Sequence, residues 1–177
     1  MKKYRTIVFV LLIIIFCSTI LSCEWNEAHL WYLRGVNYSM EQLYGKALEC
    51  FTKSIMLDPN KAKVYYERGK VYYHLCRYDE AITDFTKAIY LAPTYDMAYF
   101  YRGLSYMEIE IYVEAIKDFS AAISCDPSYT EYFYYRGSAY ERIDDFNNAY
   151  KDFSKGCELG NWDCCDDLRR LVESDSE

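Results

Sequence analysis

An all-α solenoid of four helical hairpins closed by a C-terminal helix is the fold class this sequence predicts, on three observations. Marker residues recur at a step of 34, apolar residues within each unit recur at three- and four-residue spacing, and Gly (7) and Pro (3) are too few in 177 residues for a turn-rich β domain. A hydrophobic content of 52% allows a sizeable core and excludes a disordered tail. Aromatics make up 19%, with 21 tyrosines, so the expected helices are studded with phenol rings.

The chain opens with Met1-Lys2-Lys3-Tyr4-Arg5, a short basic region, followed from Thr6 to Leu21 by an apolar stretch diluted only by Cys17, Ser18 and Thr19. Residues 1–22 are therefore read as an export signal or membrane anchor, outside the fold. The run ends in Ile20-Leu21-Ser22-Cys23, which resembles a bacterial lipobox; the resemblance implies that Cys23 is lipidated and becomes the new N-terminus. An uncleaved anchor is the alternative, since Thr6 to Cys23 counts 18 residues and roughly 20 cross a hydrocarbon core. Both readings keep Lys2, Lys3 and Arg5 cytoplasmic, so the expected location is the cell envelope, membrane-anchored, with the repeats on the extracytoplasmic side. Residues 23–27 form a tether that spans less than about 20 Å even when extended. The first repeat is thereby expected to ride close to the bilayer and to favour a membrane-proximal partner.

Acids outnumber bases 27 to 20, and no Lys/Arg cluster follows the first five residues, which argues against nucleic acid as a partner. Cleavage before Cys23 would remove three bases and no acids, leaving a mature net charge of about −10.

The repeat is written in six series. Gly35, Gly69, Gly103 and Gly137 step by 34, as do Ala47, Ala81, Ala115 and Ala149; Phe51, Phe85, Phe119 and Phe153; Arg34, Arg68, Arg102 and Arg136; and Tyr38, Tyr72, Tyr106 and Tyr140. Pro59, Pro93 and Pro127 keep the same step. In the unit from Ala62 to Tyr95, Tyr65, Gly69, Tyr72 and Tyr73 mark one helix face, and Tyr78, Ala81, Ile82, Phe85, Ala88 and Ile89 mark another. Pro93 stops the second helix. Gly69 and Ala81 are small where two antiparallel helices must approach, and Phe85 fills the gap beside them. A hairpin of this kind buries its apolar stripe only by stacking on copies of itself.

These residues resemble the tetratricopeptide repeat family, whose pattern has an aromatic at position 4, Gly at 8, Tyr at 11, Ala at 20, Phe at 24, Ala at 27 and Pro at 32. Trp31, Gly35, Tyr38, Ala47, Phe51 and Pro59 fit, with Ser54 a departure at position 27, and the next two units match throughout. The fourth keeps Phe133, Gly137, Tyr140, Ala149 and Phe153 but has Gly156 for Ala and Asn161 for Pro, as a terminal repeat does. The resemblance implies repeats at 28–61, 62–95, 96–129 and 130–161, wound as a right-handed superhelix. After Gly160, a candidate C-cap, apolar Trp162, Cys165, Leu168, Leu171 and Val172 suggest a capping helix over 162–173, with 174–177 as a tail.

Without Cys17 and Cys23, six cysteines remain, and an exported location permits fifteen full pairings. The stretch from Gly156 to Cys165 is similar to the cysteine-bridged turns of Sel1-like repeats, which implies a Cys157–Cys165 disulfide, with Cys157–Cys164 as the alternative. Cys50, Cys76 and Cys125 are read as small buried hydrophobes. With only His29 and His74 and no CxxC, neither a metal site nor any cofactor is expected.

In the family, positions 2, 5, 6, 9, 12 and 13 of the first helices face a concave groove. Carried over, position 5 gives an aromatic ladder of Tyr32, Tyr66, Phe100 and Tyr134, flanked by Tyr101 and Tyr135, Tyr73 and Met107, and the charged Lys63, Glu67 and Lys70. Rings with polar tips suit an extended peptide or a partner helix. Packing of the position-5 rings between hairpins is the structural alternative. The two-carboxylate clamp of the family's chaperone-tail binders is absent, because its places hold Tyr32, Val36, Glu67, Met97 and Tyr101. The arginine row, each member one residue before a close-packed glycine, is read as structural support. No phosphate loop, serine elbow or His-Glu-x-x-His motif occurs, so no enzyme is expected. The predicted function is an envelope-anchored scaffold that binds a protein or peptide; a glycan-binding lipoprotein is the alternative, and the oligomeric state is left open.

Overall fold

The computed structural model describes residues 27–174 and contains nine α-helices and no strand among them. Helix α1 covers residues 27–40. It is followed by α2 (Tyr44–Leu57), α3 (Ala62–His74), α4 (Tyr78–Leu91), α5 (Asp96–Glu108), α6 (Tyr112–Cys125), α7 (Thr130–Glu141), α8 (Phe146–Glu158) and α9 (Trp162–Ser174). The signal or anchor segment and Cys23 lie outside the described residues. Among the described residues no helix is long and apolar enough to cross a membrane.

Helices pair as antiparallel hairpins because small residues face rings. Ala47, Ala81, Ala115 and Ala149 and the four series phenylalanines are all fully buried. A Cβ placed on Gly35, Gly69, Gly103 or Gly137 would lie 2.6 to 2.8 Å from a ring carbon of Phe51, Phe85, Phe119 or Phe153. Ordinary carbon contacts are about 3.5–4.0 Å, so only glycine admits the ring at that separation.

The turn inside each hairpin carries a feature that the sequence did not announce. Gln42, Cys76, Glu110 and Asp144, again a step of 34, have φ between 56° and 63°. The next residue's N–H donates to the carbonyl five residues back: Leu43 to Tyr38, Arg77 to Tyr72, Ile111 to Tyr106 and Asp145 to Tyr140, at 2.8–2.9 Å. This is the Schellman ending of a helix, usually flagged by glycine at the left-handed residue. Between hairpins, Asp58 and Asp126 accept the N–H of Asn60 and Ser128, while the intervening prolines cannot prolong the helix.

Three members of the arginine row, Arg68, Arg102 and Arg136, are structural, and the structure supplies their partners. Arg68, Arg102 and Arg136 each grip the carboxylate of Asp84, Asp118 or Asp152 through Nε and Nη2 at 2.7–2.8 Å. Their Nη1 atoms donate to Thr52, Thr86 and Ser120 of the preceding hairpin, stitching neighbours together. Burial pushes the Asp84 and Asp118 carboxyls up, against the pull of the paired guanidinium. Burial would likewise lower Arg68 and Arg102, but the bonds to the aspartates outweigh it and hold them above the usual value. Two short parallel bonds in a fork geometry favour the ionised pair.

The departures in the fourth repeat are explained by α9. Gly156 replaces alanine because Cys164, fully buried on α9, packs directly against it. Asn161 replaces proline because its Oδ1 accepts the Cys164 N–H at 3.0 Å, the N-cap of α9, and its Nδ2 donates to Thr130. Gly160 takes the left-handed conformation at φ 94°. Cys157 and Cys165 are joined in a disulfide with Cα atoms 4.8 Å apart.

Two expectations are corrected here. The packed stripe of α9 runs through buried Cys164 and Leu171 and half-buried Leu168, while Trp162 is 83% exposed and Val172 is also exposed; Cys164, not Cys165, faces Gly156 in the core. Cys50 is buried, but Cys76 and Cys125 are exposed, because one occupies the left-handed turn and the other the last residue of α6.

Candidate functional site: the inner face of the array

The order of helix contacts gives the array an inner side. First helices touch one another, α3 with α5, α5 with α7 and α7 with α9, whereas α4, α6 and α8 make no such contact. The first helices therefore lie on the tighter side of the curve, and the side chains between them form the candidate site.

Each position-5 ring packs on the phenylalanine of its own hairpin with nearly constant geometry. Centroid distances are 6.3 Å for Tyr32–Phe51, 6.1 Å for Tyr66–Phe85, 5.9 Å for Phe100–Phe119 and 6.2 Å for Tyr134–Phe153. The expected open ladder is thereby corrected at its centre: Tyr66 is 6% exposed and Phe100 7%. The cause lies in the last residue of the same repeat and in the first helix of the next. Tyr95 and Tyr101 close over Tyr66 at 4.8 and 5.8 Å, and Tyr129, Tyr132 and Tyr135 close over Phe100 at 6.3, 5.1 and 5.4 Å. Position 5 supplies the floor of the groove in repeats two and three.

The half-buried layer above that floor offers contact surface. Tyr101 spans Tyr66, Tyr73 and Phe85 at 5.8–5.9 Å, and Tyr135 spans Phe100 and Phe119 at 5.4 and 6.1 Å. Met107 packs against the Phe100 cluster with both rings. Lys70 lies over Tyr66 at 5.1 Å and Tyr101 at 5.9 Å and is paired with Glu67 at 3.2 Å. Tyr134 contacts Tyr135 at 5.2 Å. Tyr32 and Lys63 sit apart from this group, in a cavity of about 270 Å³ at the first-repeat end that also involves His29, Ser54, Asp58 and Val64. There the Lys63 ammonium is 5.6 Å from the Tyr32 ring and His29 stacks on that ring at 5.8 Å.

Burial disfavours the ionised form of several of these phenols. Burial, reinforced by Glu108, pushes Tyr73 up to about 12. Burial also raises Tyr66, Tyr134 and Tyr135. Tyr78 donates to Glu108 at 3.2 Å beside Tyr73. The face therefore presents rings with polar tips, Lys63 and Lys70 on α3, and Glu108 at the end of α5 beside Tyr73 and Tyr78. Among the described residues no group of three or more His, Cys, Asp or Glu is placed to hold a metal.

The rings that sequence reasoning missed are Tyr132, which lies on α7 outside the positions attributed to the groove, and Tyr95 and Tyr129. Tyr95 and Tyr129 occupy the last position of a repeat, a step of 34 that was legible but falls outside the positions attributed to the groove.

The fold is an array of antiparallel helical hairpins whose first helices line one face. Family models described as tetratricopeptide repeat match residues 28–61 and 62–95. No curated protein matches the chain by sequence. Among solved structures, a crystal structure of MamA is similar at 27% identity and TM-score 0.74, covering 80% of this chain and 83% of that one. A MamA fragment from Desulfovibrio magneticus RS-1 is similar at 28% identity and TM-score 0.71, with 76% of each chain covered. The first TPR domain of Spaghetti (RPAP3), solved bound to the HSP90 peptide SRMEEVD, matches at 24% identity and TM-score 0.65 over 67% of this chain and 97% of that one; at this identity it shows the fold alone.

Proposed function

We propose that this chain is a non-catalytic scaffold that holds a protein or peptide partner on the inner face of α3, α5 and α7. The observation that carries the reading is the layered packing of rings: Tyr101 and Tyr135 are half-buried and braced from below by Tyr66, Phe85, Phe100 and Phe119. Braced rings lose little conformational entropy on binding, and contact surfaces draw affinity from such anchors. A chaperone-tail peptide is not the ligand proposed, because Tyr32, Val36, Glu67, Met97 and Tyr101 stand where its carboxylate clamp would be. The basic segment, the apolar run and Cys23 support a position at the cell envelope, anchored by lipid or by the run itself, with a membrane-proximal partner.

The test is capture of partners from envelope extract with the detergent-solubilised full chain, wild type beside Tyr101→Ala/Tyr135→Ala and beside Lys63→Glu/Lys70→Glu. A partner lost in both variants and weakened by salt supports the scaffold. Partners retained by both variants refute the assignment of the face. Loss of a glycan ligand in the ring variant alone, with no salt dependence, would move the function to sugar stacking.

A further inference from the structure

The first hairpin differs from the others on the side where a preceding hairpin would sit. In α3, α5 and α7 that side is covered: Val64, Ala98 and Tyr132, three residues into their repeats, are buried, as are Val71, Ser105 and Ala139. Their counterparts on α1 are Leu30, exposed by 49%, and the exposed Asn37. Leu33, whose counterparts Tyr101 and Tyr135 lie on the phenylalanine of the preceding hairpin, is exposed as well.

Charge on this end is arranged differently too. Cys50 stands where Asp84, Asp118 and Asp152 clasp their arginines, so Arg34 is not drawn into its own hairpin and lies exposed over the Trp31 ring at 5.0 Å. Lys53 approaches the same ring at 4.2 Å, and Lys46 lies 5.4 Å from the Tyr38 ring. Glu49 is the exposed acid among them on α2. Three cations on aromatic rings, flanked by exposed leucines, thus mark one end of a chain whose formal net charge is −7.

We infer that this open end docks on the bilayer surface, with Leu30, Trp31 and Leu33 at the boundary of headgroups and acyl chains and Arg34, Lys46 and Lys53 on anionic headgroups. The inference deepens the anchored reading above and rests on it. What selects a membrane as occupant is the chain that precedes α1: 26 residues whose apolar run ends at Cys23, with four residues between it and Ala28. A tether of that length holds the end within about 20 Å of the surface. Tryptophan, arginine and lysine are also the side chains suited to that boundary. Docked in this way, the first hairpin substitutes bilayer for the missing neighbour and leaves the inner face of the later repeats clear.

The test uses the full chain carrying Trp25→Phe and Trp162→Phe, so that Trp31 reports alone. It is reconstituted in phosphatidylcholine vesicles with and without phosphatidylglycerol, with bromine on the acyl chains. Sedimentation reads attachment, and quenching of Trp31 reads docking. The expected result is strong quenching with phosphatidylglycerol, and its loss in Arg34→Glu/Lys46→Glu/Lys53→Glu while the chain still sediments with the vesicles. Each cation near an anionic surface contributes about fivefold, so loss of three alone lowers the ratio of docked to undocked chain about a hundredfold, and their reversal to Glu should lower it further. Retained quenching in the triple variant, or none in the reference, would overturn the inference and leave the anchor standing. Shielding of Trp31 from an aqueous quencher without lipid quenching would overturn it in favour of a protein cover, whether a second copy or residues 1–26. A chain that fails to sediment would overturn both.

Discussion

Replacing Gly103 by alanine gives opposite expectations according to whether helix propensity or packing decides. Alanine in a helix interior is favoured over glycine by about 1 kcal/mol. The added methyl, however, would lie 2.7 Å from Cε1 and 3.0 Å from Cδ1 of Phe119. The ring would have to retreat by roughly 0.5–1 Å to reach ordinary contact. Phe119 is fully buried beneath Phe100 and Tyr135, so there is no open side to retreat into. Overpacking of this kind costs about 1–3 kcal/mol. With the propensity gain set against the upper part of that range, Gly103→Ala should destabilise by about 1–2 kcal/mol. Gly45 provides the internal control, since it lies in α2 with nothing within 4 Å of the added Cβ, and Gly45→Ala should stabilise by about 0.5–1 kcal/mol. Equilibrium urea unfolding followed by helical circular dichroism, compared at unchanged m, measures both. Phe119→Leu should cost less in the Gly103→Ala background than alone, giving a coupling of about 1 kcal/mol. Stabilisation by Gly103→Ala equal to that by Gly45→Ala would refute the packing account.

Removing the carboxylate in Asp118→Ala leaves Arg102 half-buried without its partner and should cost about 3 kcal/mol in urea unfolding. At the left-handed turn, Glu110→Gly should stabilise by up to about 1 kcal/mol by relieving an unfavourable φ, and Ala at the same site should give no such gain. Reducing the Cys157–Cys165 disulfide releases an eight-residue separation and should cost about 2–3 kcal/mol, read as faster amide exchange confined to α8 and α9. Burial pushes the Cys164 thiol up to about 12 from an ordinary value of 9.0, and Tyr73 up to about 12 from 10.0. The fold therefore favours the protonated forms: their contribution is fully present below the unfolded values and is lost as pH rises toward 12. Thermal unfolding at alkaline pH should show this as a falling midpoint, with Tyr73→Phe flattening part of the slope. At pH 8 a thiol reagent should label Cys76 and Cys125 before Cys164.

Contacts whose two halves both repeat were legible without a structure. Gly103 and Phe119 touch in the third hairpin as Gly69 and Phe85 do in the second, so the shared step of 34 reported the contact itself. The arginine row was read as support, but its partner series, Asp84, Asp118 and Asp152, went unnoticed because Cys50 interrupts it in the first hairpin. The left-handed turn residues were invisible for a different reason. Gln42, Cys76, Glu110 and Asp144 share a backbone conformation and no side-chain chemistry, and glycine is the only residue that advertises such a site. The burial of Tyr66 and Phe100 depends on rings from the end of the repeat and from the next first helix, so position within a repeat was insufficient to tell a groove wall from its floor. Trp162 shows the same limit at the array end, where Cys164 packed on Gly156 marks the inward face of α9 and leaves Trp162 outside.

The central claim is that partners are held on the inner face, and site-specific photo-crosslinking tests it most directly. A photoreactive amino acid is placed at Tyr101, between α3 and α5 on that face, and in a second chain at Tyr90, which is 76% exposed on a second helix. After irradiation in intact cells, a discrete adduct from position 101 and none from position 90 is the expected result. An adduct from position 90 alone would place the partner on the outer face and contradict the account.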